Sequence, residues 1–252
     1  MAEDDKPLQY RLDYTLVTDD TGTKDDHLSH QFHVGADYNL GAFGAVGAMA
    51  WLEWCNTPAM GGDENGRELH RGDYGAYWLY PIEPIRTMFQ AGWLAQTFPQ
   101  YSGDTACTNE WYVALNVDDA KWFGTDEPVL SPYAAYYMDL DDLRGSWMEF
   151  GISHSFRLGP LGFEKTPVLK DMAITPSFIV GVDHRQLTQS TRVATLQYGL
   201  QVDYDLSEAM KIPPKYGRLG LAGFLYFRDA LPGVEDYLRD RLYGGIRLAY
   251  SN

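Results

Sequence analysis

The chain of 252 residues is long enough for one large domain or two small ones, and its length suits a single β-barrel. A net charge of −15 argues against nucleic acid and anionic lipid headgroups as partners, because both would be repelled. Mean hydropathy is −0.34 and no run of about 18 uncharged apolar residues occurs, which excludes a helical membrane protein; the nearest approach, LGAFGAVGAMAWLEWC, is short and carries Glu53.

Along the chain the dominant signal is alternation of apolar and polar residues, the period of a strand with two unlike faces. About twelve such segments follow one another. They run from Leu8 to Val17, Leu28 to Leu40, Phe43 to Trp54, Tyr74 to Tyr80, Ile85 to Phe98, Glu110 to Val117, Pro132 to Leu140, Ser146 to Leu158, Met172 to His184, Val193 to Leu206, Arg218 to Arg228 and Arg241 to Tyr250. Helical period is almost absent: KTPVLKDM is broken by proline, and LSEAMKI is short and flanked by strand patterns. The connectors, such as TDDTGTKDD, NTPAMGGDENGRE, PQYSGDTACTN and LPGVED, are rich in turn residues. No fixed-period repeat, low-complexity tract or linker divides the chain, so one all-β domain over residues 1–252 is expected. Were the chain exported, Ala2 would be the residue left after signal removal, with Met1 an addition.

Strand length and the position of aromatics separate a membrane barrel from a soluble sandwich. Soluble strands average about 5–6 residues, whereas a tilted strand crossing a bilayer needs about 9–11, and most segments here reach the longer figure. An antiparallel up-and-down barrel with both termini on the periplasmic side places Tyr10, Tyr38, Tyr204 and Tyr250 on the apolar parity near the periplasmic strand ends. Amphipathic rings at one level form an interfacial girdle. In the same topology Cys55 begins the second outer loop and Cys107 ends the third. A disulfide between adjacent extracellular loops is therefore expected, with two free thiols as the alternative.

The final RLYGGIRLAYSN resembles the closing strand of a bacterial outer-membrane β-barrel, although it ends in Tyr-Ser-Asn where that group places a terminal aromatic. The segment AKWFGTDEPVLSPYAAYYMDLDDLRGSWMEFGISHSF is similar in style to TorF-like porins. The barrel resemblance covers nearly the whole chain and the TorF-like one about a sixth. What the resemblance implies is a bacterial outer-membrane location and a possible channel, without a solute.

If the apolar parity faces lipid, the other parity lines the lumen. It carries Arg11 and Asp13, His33 and Asp37, Glu53, Glu149 and Arg157, Asp183, Asp203, Arg218 and Arg228, and Arg241 and Arg247. Strands eleven, twelve and one become neighbours on closure, so Arg11, Arg218, Arg228, Arg241 and Arg247 form a basic wall opposed to acidic ones. Opposed charge across a pore sets ion selectivity. The expected function is a narrow porin-like channel for small polar or ionic solutes, in a lipid bilayer or detergent. The alternative is a closed structural or interaction barrel presenting acidic extracellular loops, favoured by the bulk of Trp51, Tyr112, Trp147, Tyr226 and Tyr243 on the inner parity. A soluble β-sandwich or ligand-binding barrel is a third reading.

No enzyme activity, cofactor or metal site is expected. His154 and Ser155 are adjacent in sequence and so point to opposite faces of a strand, which prevents a nucleophile–base pair. The six histidines lack metal-ligand spacing. The acidic segments TDDTGTKDD and GGDENGRE match no complete calcium loop and are read as solvated surface.

Overall fold

In the computed structural model, residues 7–20, 27–55, 68–98, 107–141, 145–234 and 238–252 are described. They form thirteen strands: β1 (Leu8–Asp20), β2 (His27–Asn39), β3 (Ala45–Cys55), β4 (Glu68–Ile82), β5 (Thr87–Thr97), β6 (Cys107–Val117), β7 (Tyr133–Asp139), β8 (Ser146–Ser153), β9 (Phe156–Arg157), β10 (Met172–His184), β11 (Thr191–Asp205), β12 (Arg218–Ala230) and β13 (Arg241–Ser251). Two short helices, α1 (Ala120–Phe123) and α2 (Leu206–Met210), lie in the connections. β9 is a two-residue strand paired with β10, and the other twelve strands follow one another antiparallel. The ring closes where β13 pairs with β1, from Arg11 opposite Ser251 to Asp20 opposite Leu242. Each of the twelve barrel strands is thereby paired on both sides, the requirement for backbone in a medium without water.

The closure puts the described ends of the chain together: Tyr10 N–H donates to Asn252 Oδ1 at 2.7 Å and Asn39 N–H to Pro7 O at 2.8 Å. The connections 40–44, 83–86, 118–132, 154–171 and 206–217 return at this terminal end. Gly44 shows how tight these returns are, since its φ is +81° and a Cβ there would collide with the Leu79 carbonyl.

Burial is inverted relative to a soluble domain. Leu8, Leu12, Phe32, Val34, Leu200, Leu225, Ile246 and Leu248 are exposed, while the buried residues include Asp73, Glu110, Asp139, Asp183, Ser29 and Thr195. The contrast is wide, with Ile246 58% exposed and Asp183 0%. The register explains it: Leu12 stands opposite Val34 and Tyr250, and Asp13 opposite His33 and Ala249, so each parity keeps to one face around the barrel. One face is a continuous apolar band and the other encloses the polar groups, the arrangement of a transmembrane β-barrel.

The strands match the sequence expectation closely, with three differences. β4 starts at Glu68 instead of Tyr74: the register of the aromatic run continues unbroken to Arg71 opposite Glu53, and a bulge between Glu53 and Trp54 carries the pairing on to Leu69 and Glu68. β8 stops at Ser153 instead of Leu158. Opposite this point β10 carries Pro176, which has no N–H to donate, and the ladder resumes where Phe156 meets Ile174. LSEAM forms a helix after all: the Asp205 side chain accepts the Glu208 N–H at 2.9 Å as an N-cap.

The expected Cys55–Cys107 disulfide is not present. Cys107 is a free, exposed thiol at the start of β6. Cys55 ends β3, and β4 and β5 stand between, so the two strand positions are about 14 Å apart at ordinary strand spacing. That exceeds the Cα separation a disulfide tolerates. Two neighbouring loops in sequence are not two neighbouring strand ends.

Candidate functional site: a charged and aromatic lumen

The inner face is built by residues of one parity on twelve strands, so its chemistry follows the register. On β12 the inward row is Arg218, Gly220, Ala222, Phe224, Tyr226 and Arg228, and on β13 it is Arg241, Tyr243, Gly245, Arg247, Ala249 and Ser251. Arg228 stands directly opposite Arg241, and Arg247 opposite both Ala222 on β12 and Thr15 on β1. Arg11 and Arg218 flank Ser251 from either side. The five arginines therefore occupy three adjoining strands.

These cations differ in their partners. Arg11 Nη2 lies 3.5 Å from Asp37 Oδ2 and donates to the Tyr77 hydroxyl at 3.2 Å, and that hydroxyl donates to Asp37 at 2.5 Å. By contrast, the Nε atoms of Arg228 and Arg247 are buried and have no hydrogen-bond partner. Arg241 lies over the Tyr243 ring, 5.8 Å from its centroid. A cavity of about 340 Å³ near the terminal end brings Arg11, Arg218, Arg247, Asp13 and Asp203 together, all singled out from the sequence. Below it a cavity of about 880 Å³ is lined by Arg157, Lys170, Asp171, Asp203, Glu208 and Arg218, between the 154–171 connection and α2.

Across the barrel the acids are satisfied by their neighbours. Arg71 makes a two-pronged pair with Asp73, 2.8 Å on each prong, and its guanidinium lies over Trp51. Gln31 donates to Glu53 at 2.9 Å, Gln96 to Glu110 at 3.1 Å and Thr108 to Asp139 at 2.6 Å. Glu149 accepts from Trp147 Nε1 at 3.0 Å and from the Tyr133 hydroxyl at 3.4 Å. Asp203 accepts Gln201, and Asp13 is 3.0 Å from His33 Nδ1. Asp73, Glu110 and Asp139 escaped the sequence reading. Their inward parity was the signal, missed because Asp73 precedes the expected start at Tyr74 by one residue and Glu110 and Asp139 fall at or next to the limits of their expected segments.

The inward aromatics do not project into the lumen as their bulk implies. Tyr77 lies over Gly47, Tyr112 over Gly92, Trp147 over Gly181 and Tyr226 over Gly199; a Cβ on any of these glycines would collide with the ring. A glycine on one strand thus makes room for a ring from the next, and the ring rests against the wall. Tyr112 stacks on Tyr137 at 5.8 Å, and Tyr226 on Tyr243 at 5.4 Å with an interplanar angle of 22°. The Tyr243 hydroxyl reaches across β12 to donate to Gln197 at 3.1 Å.

Asp183 belongs to the wall itself. It is fully buried and accepts from the backbone N–H groups of Gln186, Leu187 and Thr188 and from the Thr188 hydroxyl, which ties down the turn between β10 and β11. The turn also packs against the start of β8, where Arg185 bridges to Ser146 and a Cβ on Gly145 would collide with the Gln186 backbone. His154 and Ser155 lie between β8 and β9, with the His154 ring against Phe156 at 4.2 Å. On the outer face Tyr10 and Tyr250 are 5.9 Å apart, Tyr38 stands opposite Leu8, and Tyr204 opposite Leu221. Trp78 and Tyr80 join them at the terminal end of β4, 5.3 Å apart, with Trp78 donating to the Phe43 carbonyl. The side chains of Cys55 and His70, most of the TDDTGTKDD segment and nearly all of GGDENGRE lie outside the described residues.

No family model matches the sequence, and no curated protein matches it. Solved structures do share the fold. A KdgM porin in complex with disordered oligogalacturonate matches over 95% of this chain and 98% of its own, at 11% identity and a TM-score of 0.51. NanC porin matches over 95% and 98%, at 8% identity and 0.54. The COG4313 outer membrane channel from Pseudomonas putida F1 matches over 97% and 95%, at 7% identity and 0.54. These likenesses bear out the fold, that of the barrels of outer-membrane porins and channels, without singling out a TorF-like one: the chain folds as twelve antiparallel strands closed into one barrel, with β9 as an extra strand.

Proposed function

We propose that the barrel spans the bacterial outer membrane with its terminal end in the periplasm and conducts small polar or ionic solutes passively, with a preference for anions. The apolar outer band, and the outward Tyr10, Tyr38, Tyr204 and Tyr250 at headgroup depth, support the location. The observation that carries the channel reading is the state of the inner face. Its rings rest on glycines against the wall, while Arg228 and Arg247 keep guanidinium nitrogens without hydrogen-bond partners. A charge held unpaired inside a barrel is costly unless water or a solute serves it. Acids on β3 to β8 are matched locally, so the field along β12, β13 and β1 is net positive and favours anions. Purified protein in a planar bilayer should give discrete conductance steps; silence from correctly folded barrels would overturn this.

One observation favours the closed interaction barrel instead. The turn between β10 and β11, at the mouth away from the termini, is pinned by Asp183 and packed against the start of β8, so it is held in one place. Removing residues 185–190 distinguishes the two: a channel already open keeps its selectivity and gains conductance modestly, whereas a closed barrel conducts only after the deletion.

A further inference from the structure

We infer that the lumen holds a selectivity site for organic anions that carry a flat apolar face, with Arg228 and Arg247 taking the anionic group and the Tyr226–Tyr243 pair taking the body of the molecule. It rests on the channel reading and names the solute class that reading leaves open. Arg228 is placed one inward step from Tyr226 on β12, and Arg247 two inward steps from Tyr243 on β13, so the rings lie between two guanidiniums on adjacent strands. Among the described residues neither arginine has an ion-pair partner, and the Nε of each is buried without a hydrogen bond. Both side chains are only half-buried, so although the Nε is closed to solvent the terminal Nη groups meet an external acceptor, and a carboxylate matches their planar geometry.

The ring pair supplies the second half of the site. Tyr226 is pressed onto Gly199, and Tyr243 stacks beside it with its hydroxyl anchored on Gln197, so both rings are held by the wall before a solute arrives. Phe224 continues the surface at 5.6 Å from Tyr226. Held rings lose little freedom on binding, which favours a solute that can lie flat against them. A small inorganic anion would use the arginines alone. An apolar neutral ring would use the tyrosines alone. An organic anion uses both, and that double use is what the arrangement selects.

Benzoate and acetate are suitable probes, because they share the carboxylate and differ in the ring. Calorimetric titration of the detergent-solubilised barrel should give saturable benzoate binding, with acetate weaker by roughly tenfold. Arg228→Gln and Arg247→Gln should each weaken benzoate by about tenfold, and Tyr226→Leu should bring benzoate down towards acetate. Conductance in plain chloride, recorded on the same preparations, tests the channel reading separately. Equal binding of benzoate and acetate, or benzoate binding unchanged by both arginine variants, would overturn the site even where chloride conducts. A bilayer without conductance alongside selective benzoate binding would instead remove the channel reading and leave the site standing.

Discussion

The two walls of the lumen carry opposite charge, but the more telling difference lies in how that charge is satisfied. On β3 to β8, Glu53, Asp73, Glu110, Asp139 and Glu149 each accept a hydrogen bond from a nearby side chain. On β12 and β13, the Nε atoms of Arg228 and Arg247 have no hydrogen-bond partner among the described residues. A satisfied charge contributes to holding the wall; an unsatisfied one is available to what passes. Arg11 belongs with the first kind although it is basic, since Asp37 and Tyr77 occupy it.

Breaking the satisfied wall should have the largest effect on stability. Arg71→Ala strips Asp73 of both prongs of its pair and Trp51 of its cation, and lumen water softens the loss to about 2 kcal/mol. The midpoint of heat-induced loss of the compact gel form should fall accordingly, with ion selectivity little changed. Asp119 gives a smaller effect of the same kind outside the lumen. It accepts the Val129 and Leu130 N–H groups at 2.8 Å each; burial alone would raise its carboxyl, but these backbone donors hold it below the usual carboxylate range. Its stabilisation is complete above the ordinary carboxylate pKa of about 4 and is lost as pH falls through the lower folded value. Asp119→Asn should therefore cost about 1 kcal/mol at neutral pH, and the gap to the parent should close under acid conditions.

The unsatisfied wall should respond the other way. Arg228→Gln or Arg247→Gln removes no internal bond of the freed nitrogens, so stability should move by less than about 0.5 kcal/mol while anion preference falls. A loss of stability comparable to Arg71→Ala would erase the distinction between the walls. Smallest of all, Cys107→Ser should leave heat stability and gel mobility without reductant unchanged, because Cys107 is a free thiol; a mobility shift would reinstate a disulfide.

Strand identity was legible wherever alternation ran clean. Met172–His184 is a strand at the bounds its pattern marks, and the row Leu196, Tyr198, Leu200, Val202, Tyr204 stays on one face of β11 throughout. Arg11, Arg218, Arg228, Arg241 and Arg247 fall on the inner parity for the same reason. Period two fixes a face, but it does not fix what lies across it. Which carboxylate meets which donor depends on register between strands, and the pairing of β4 beyond Tyr74, which brings Asp73 opposite Trp51, has no alternation to announce it. The glycine–ring contacts were also illegible, because Tyr226 and Gly199 are neighbours only through the β11–β12 pairing. That contact is what turns inward bulk from a sign of plugging into a lining of the wall.

The most direct test of the central claim, a conducting lumen whose unpaired arginines set its selectivity, is the reversal potential of single channels in a KCl gradient. The parent should reverse towards the chloride potential, Arg228→Glu should shift it towards potassium, and Arg247→Glu should shift it in the same direction. Folded barrels that conduct with a reversal potential indifferent to both substitutions, or that do not conduct, would contradict it.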